Sequence, residues 1–186
     1  MAEAAEILRE EHEVVKHLLR VLTGIAASVQ SGGAVPKADP EKVFDIVVNF
    51  ADKCHHAKEE KALFPVLVKA SPEEGGVLVH RLEGDHTAVR KLVADMRALV
   101  AAVVAGEAEA RSRFAKSARA YVTILEEHIF QENTKLLPLV GSTLSAEERS
   151  ALAAEFDRIE REEMDLGVHE RYEHVIHDLA AKYVHA

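Results

Sequence analysis

The chain has 186 residues, of which 48% are hydrophobic and 5% aromatic, and its formal net charge is −9. An acidic chain without a basic stripe is a poor candidate for nucleic-acid binding, and its single cysteine excludes an intramolecular disulfide framework. The charged, amphipathic N-terminal segment predicts neither a signal peptide nor a membrane span. We therefore expect a cytoplasmic protein without a nucleic-acid or membrane partner, present as a monomer or weak homodimer.

Good helix formers dominate the composition, and the alternation typical of strands is missing. Clusters of Gly, Pro and Ser separate six helical patterns, and Ser145 followed by Glu148 fits a capping box at the start of the fifth. The predicted helices cover roughly 3–29, 41–69, 74–105, 108–140, 145–163 and 167–184.

Four of these helices are long and have short connections, which favours antiparallel neighbours that bury their apolar stripes together. The sequence therefore predicts an all-α fold, an up-down-up-down four-helix bundle with additional C-terminal helices. We assign residues 1–141 to the bundle and residues 142–186 to a helical extension packed on it.

The second and fourth predicted helices carry similar motifs, "HHAKEEKALFP" and "HIFQENTKLLP". Both read His-x-x-x-Glu followed by Leu and Pro, and their first and fifth residues are His55 with Glu59 and His128 with Glu132. A lone histidine precedes each motif by 43 and 42 residues, namely His12 and His86. The bundle therefore consists of two similar hairpins.

Helix phase separates the histidines, because residues at i, i+3, i+4 and i+7 share a face. Five histidines share a face with apolar residues and are predicted to point into the core: His12, His55, His86, His128 and His169. Glu59 and Glu132 lie on the same stripes as His55 and His128. In a regular α-helix His56 continues a polar line, so we predict that it faces away from the core.

A buried carboxylate is strongly disfavoured unless it is paired or bound to a metal. Five imidazoles and two carboxylates exceed the four ligands of a structural zinc site. They suit two metal ions bridged by the carboxylates, and this donor set suits iron among the redox-active metals.

The two paired motifs, with "EEH" ending at His12 and "GDH" ending at His86, resemble the hemerythrin-like (HHE cation-binding) family of bacterial type over about residues 5 to 140. The resemblance implies a bundle with two non-haem iron ions, bridged by carboxylates and an oxo or hydroxo group, and open to a small ligand. The matching ligands are His12, His55, Glu59, His86, His128 and Glu132.

Two features depart from the oxygen-carrying members of that family. A second histidine one turn before the position of His86 is replaced by Leu82, and the last motif has Glu where those members have Asp at a longer spacing. The missing histidine disfavours simple oxygen storage, and the glutamate form is more similar to the bacterial sensory, repair and detoxification members. We expect His169, on the last helix, to complete the ligand set; in the alternative, that helix only packs over the end of the bundle.

Two function classes remain open. In the first, the protein is a di-iron oxidoreductase that detoxifies peroxide or nitric oxide during oxidative or nitrosative stress. In the second, it is a non-catalytic protein that stores or senses dioxygen, nitric oxide or iron. Tyr121 and Tyr172 are core aromatics or, alternatively, hydrogen-bond donors toward a bound small ligand.

Overall fold

The computed structural model describes residues 3–164 and 167–184, and within these ranges it contains helices and no strand. Helix α1 spans Ala4–Gln30. Helix α2 covers residues 38–70 and changes character along its length: it runs as Ala38–Ile46, then as π-helix over Val47–His56 and Glu59–Leu63, and finishes as Phe64–Ala70. Helix α3 spans Glu74–Val104.

Helix α4 covers residues 108–143, with α-helical parts Ala108–Gln131 and Leu137–Thr143 on either side of a π-helical turn, Glu132–Leu136. Helices α5 and α6 span Ala146–Glu163 and Val168–Tyr183. The predicted all-α fold is confirmed. Among the described residues, no helix combines the length and the apolar character that crossing a membrane requires.

Helices α1 to α4 form the bundle, in which α4 packs against both α3 and α1. The chain reverses between α3 and α4 at Gly106, whose φ of 87° is a conformation that favours glycine. The predicted capping box at Ser145 is confirmed, since its side chain accepts from the Glu148 amide while the Glu148 carboxylate accepts from the Ser145 amide.

The two C-terminal helices lie against the bundle. Helix α6 packs against α1, and helix α5 packs against α1 and the π-helical parts of α2. Helix α6 approaches α1 closely at Gly24, where a Cβ atom would clash with the Tyr183 carbonyl oxygen. Glycine at that position therefore permits the contact. The boundary at residues 141 and 142 stays a prediction, since apolar residues of α5 and α6 share the interior with the bundle.

The apolar interior consists of two clusters. The large cluster contains Val15 of α1, Val89 of α3 and Leu125 of α4, together with apolar residues of α6. The small cluster contains Leu8 of α1 and Leu82 of α3, together with apolar residues of α5. On each bundle helix, buried polar residues lie where one cluster gives way to the other.

Candidate metal centre

Seven polar side chains are buried between the two apolar clusters, and we call them the polar layer. All four bundle helices contribute, and each of these residues is at most 3% exposed. The members are His12, His55, His56, Glu59, His86, His128 and Glu132.

The polar layer contains two groups of possible metal ligands, and within each group the donor atoms lie within 4.8 Å of one another. One group combines two histidines with two carboxylates: His12, His55, Glu59 and Glu132. The other combines three histidines with one carboxylate: His56, Glu59, His86 and His128.

Both carboxylates face the two groups at once. For Glu59, Oε1 lies 3.5 Å from Nε2 of His55 and Oε2 lies 3.2 Å from Nε2 of His86. For Glu132, Oε2 lies 3.0 Å from Nε2 of His12 and Oε1 lies 3.2 Å from Nε2 of His128. This arrangement suits two cations bridged by both carboxylates.

The hydrogen bonding of the polar layer also fits a metal. In the part of the chain that the structure describes, both oxygens of Glu59 and of Glu132 and Nε2 of His12 are buried without a hydrogen bond of good geometry. Nε2 of His86 and Nε2 of His128 are only 3.2 Å apart. Because buried polar atoms are normally paired, these convergent donor atoms need a common partner, which a cation would supply.

The other ring nitrogen of every histidine in the polar layer faces an oxygen. A carboxylate oxygen only accepts hydrogen bonds, so such a contact places the hydrogen on Nδ1 and leaves the Nε2 lone pair for a metal. The Nδ1 hydrogen bonds are His12 to Asn133 (3.1 Å), His55 to Glu11 (2.8 Å), His56 to Asp52 (3.4 Å) and His86 to Glu60 (2.6 Å). Nδ1 of His128 lies 3.5 Å from Asp85, without a hydrogen bond of good geometry.

Two cationic side chains hold three of these outer carboxylates. Arg90 contacts Asp52 at 2.6 Å and Glu60 at 2.9 Å, and so connects the partners of His56 and His86. Lys58, which is fully buried, donates to the Glu11 carboxylate that holds His55. The carboxylates that orient the rings of His55, His56 and His86 are thus themselves held in ion pairs.

The electrostatics of the polar layer favour cations. Burial alone lowers the pKa of His55 and of His128, but the nearby carboxylates outweigh it and raise the pKa values to about 9 and about 10. Burial raises the pKa of Glu59, and the adjacent charge of Glu132 raises it further. Burial lowers the pKa of His56 well below its usual value, which keeps this imidazole neutral. Two buried carboxylates therefore attract positive charge, as protons or as metal ions.

The structure contradicts the predicted orientation of His56. Its side chain is buried, and its ring stacks on His86 with centroids 3.9 Å apart and planes inclined by 21°. The reason is the π-helix over Val47–His56, whose wider turn brings successive residues closer in angle than the 100° of an α-helix. His55 and His56 therefore both face inward. Two features of the sequence could have indicated that His56 faces inward: it directly follows His55, and Leu82 stands where oxygen-carrying members of the family have a further histidine.

The structure does not bring His169 together with the other predicted ligands. Its ring contacts Phe50, with centroids 5.0 Å apart, and its Nε2 lies 3.5 Å from Glu160, while a third of its side chain is exposed. Helix α6 turns this residue toward α5 instead of toward the polar layer. Tyr172 is also directed elsewhere, since its hydroxyl donates to Asp45 at 3.1 Å. Leu82 packs in the small cluster.

A cavity of about 180 Å³ adjoins the polar layer at His56. Valines form much of its wall, including Val89 and Val93, while Asp52 and the half-exposed Arg90 line its polar side. Tyr121 also lines it, and burial, with the charge of Asp52, raises the pKa of this phenol. Tyr121 therefore remains protonated and able to donate a hydrogen bond.

An all-α bundle with histidines and paired carboxylates between its helices defines a metal-binding protein of the bundle type. The family model described as the Hemerythrin HHE cation binding domain matches residues 3–140. The chain belongs to that family, as the resemblance of its motifs predicted.

The chain is also similar to proteins named as uncharacterized in Mycobacterium tuberculosis (Rv1995) and Mycobacterium bovis (Mb2018), with 27% identity to each over 154 residues. The aligned part is 83% of this chain and 60% of each relative, so the chain spans less than two thirds of their length. No solved structure matches the chain.

Proposed function

We propose that the polar layer holds two non-haem iron ions and that the protein binds or turns over a small ligand there: dioxygen, nitric oxide or hydrogen peroxide. The observation that carries this proposal is the convergence of five imidazoles and two carboxylates, with Nδ1 of each ring facing an outer oxygen. Imidazole and carboxylate together suit iron among the redox metals.

In this proposal the ligands divide between the ions as the two groups do. His12 and His55 would hold one ion, His56, His86 and His128 would hold the other, and the carboxylates of Glu59 and Glu132 would be shared between them. In the three-histidine group, His56 takes the role that was predicted for His169. When bound, the iron pair would supply the electrons by changing oxidation state, while the protein residues orient and neutralise the site.

The cavity beside His56 is the proposed approach for the small ligand. Its valine walls suit an uncharged molecule, and Tyr121 is among its lining residues. The ion pair between Arg90 and Asp52 lines the same cavity, as does Arg97. The small volume and the valine walls support dioxygen, nitric oxide and hydrogen peroxide over larger substrates.

Metal analysis of protein produced with iron available is the first test. We expect about two iron ions per chain and, after exposure to air, the near-ultraviolet charge-transfer absorption of a bridged di-iron centre. A preparation with one zinc ion and no iron would contradict the proposal.

Kinetics with the iron-loaded protein would separate the two function classes. Catalytic consumption of peroxide or nitric oxide, with many turnovers per iron pair, indicates a detoxifying oxidoreductase. Stoichiometric, reversible ligand binding without turnover indicates storage or sensing. Both outcomes keep the di-iron centre, so the metal analysis and the kinetics test different parts of the proposal.

A further inference from the structure

A chain of charged side chains connects the C-terminal helices to the polar layer. Glu11 accepts from Nδ1 of His55 at 2.8 Å, and its other oxygen accepts from Lys58. Lys58 also donates to Oε2 of Glu160, on α5, at 2.6 Å. The other oxygen of Glu160 lies 3.5 Å from Nε2 of His169 on α6. Three consecutive contacts therefore lead from α5 to a ring nitrogen of a polar-layer histidine.

The central residue of this series of contacts, Lys58, is buried and therefore depends on its carboxylate partners. Its side chain is 0% exposed, and a buried ammonium is costly unless carboxylates or other acceptors surround it. Its two carboxylate partners come from different parts of the protein. Glu11 belongs to the family-matched region, residues 3–140, whereas Glu160 lies beyond it. The cation that holds Glu11 is thus held in turn by the C-terminal extension.

We propose that Glu160 is a positioning residue of the metal centre: through Lys58 it fixes the Glu11 carboxylate, and through Glu11 the ring of His55. The extension then contributes to the site itself as well as to packing. The part of this inference that concerns iron rests on the proposed function, whereas the link from Glu160 to His55 concerns the protein alone.

A second cation site is the competing explanation of the same residues. Glu11, Cys54, Glu160 and His169 place donor atoms within 4.8 Å of one another. The Lys58 ammonium already contacts both carboxylates of that group, however. The two carboxylates of the group therefore already have a cation in Lys58.

A neighbouring ion pair, Lys61–Glu163, provides a closely matched control for the test. Glu163 of α5 pairs with Lys61 of α2 at 2.8 Å, so this pair joins the same two helices three residues further along each. The Lys61–Glu163 pair is partly exposed and does not lead to Glu11. Glu163→Gln removes one interhelical ion pair and one negative charge, as Glu160→Gln does, but leaves the contacts of His55 intact.

The decisive measurement is nitrogen-15 NMR of the histidine rings in metal-free, full-length protein, with His55 assigned by its loss in His55→Gln. We expect Glu160→Gln to shift the His55 ring nitrogens and Glu163→Gln to leave them in place. Unchanged His55 signals in Glu160→Gln, or equal shifts in both variants, would overturn the proposal. Should Glu160→Gln not fold, Glu160→Asp keeps the charge but shortens the side chain, and the same displacement is expected.

A second measurement uses the iron-loaded protein. Loss of outer-layer support typically lowers metal affinity by about 10–100-fold, so we expect Glu160→Gln to bind iron more weakly than Glu163→Gln. Removal of a nearby negative charge should also move the reduction potential to more positive values. If wild-type protein bound no iron, the proposed function would fail while the NMR result would still decide whether Glu160 positions His55.

Discussion

Four of the five histidines of the polar layer use their two nitrogens differently. In His12, His55, His86 and His128, Nδ1 faces an oxygen of the outer layer and Nε2 faces Glu59 or Glu132. Several outer oxygens belong to residues next to a ligand in sequence, such as Glu11 before His12, Glu60 after Glu59 and Asp85 before His86. The acidic residue next to a ligand in sequence is thus part of the site. By facing Nδ1 of another histidine, it leaves Nε2 of that ring available to a metal.

Replacing His56 tests whether the π-helical orientation matters for binding. His56→Ala removes one of three imidazoles from its group, so we expect iron content to fall from about two ions per chain toward one. His80→Ala is the control, because His80 is an exposed histidine on α3. Metal analysis after desalting measures both. Full iron content in His56→Ala would show that this ring is not a ligand.

Val93 tests the proposed route of the small ligand. Val93→Phe should fill part of the 180 Å³ cavity and slow nitric oxide binding several-fold, at a packing cost of about 1–3 kcal/mol. Val93→Ala should enlarge the cavity and leave binding as fast or faster. Stopped-flow absorbance gives the rates, with iron content measured in parallel. Equal rates in both variants would place the route elsewhere.

Helices α2 and α4 contain π-helical segments at the polar layer, and the sequence analysis did not predict these segments. The inward faces of His12, His86 and His128 follow from regular helical periodicity and could be predicted. The orientation of His56 could not, because it depends on hydrogen bonds that skip one more residue over Val47–His56. His169 shares an apolar face on α6, but the packing of that helix directs it to Phe50 and Glu160.

The N-terminus of α5 provides a stability prediction that is independent of the metal. Ser145→Ala removes the capping box and should lower the free energy of unfolding by about 1 kcal/mol, within a range of about 0.5–2. Ser150→Ala, at an exposed position inside the same helix, should be neutral or slightly stabilising. Urea unfolding of both variants measures the difference. A Ser145→Ala loss no larger than that of Ser150→Ala would show that the cap contributes nothing to α5.

For the whole molecule, the buried carboxylates make stability depend on pH once the metal is removed. The pKa values of His55 and His128 are about 9 and about 10 in the folded protein, against about 6.5 for an unperturbed histidine. Their protons therefore stabilise the metal-free fold fully below about pH 6.5, and this contribution is lost as the pH rises toward 10.

Urea midpoints of chelated protein at several pH values between 6.5 and 10 should accordingly decrease, whereas iron-loaded protein should keep its midpoint, because metal replaces the protons. Adding iron near pH 7 should also release protons into a weakly buffered solution. A metal-free protein whose midpoint rises over this range would contradict the charge balance inferred for the polar layer.

The division of the interior into two apolar clusters affects how the molecule opens. Each cluster has its own apolar contacts, and the polar layer between them gains little from the hydrophobic effect. With the charges unneutralised, the two ends of the bundle are expected to open as separate units, each with its own amide hydrogen-exchange protection. Two cations whose ligands together come from all four bundle helices would join these units, so exchange at both ends would slow together. The bound ions would then make the two ends of the bundle unfold cooperatively.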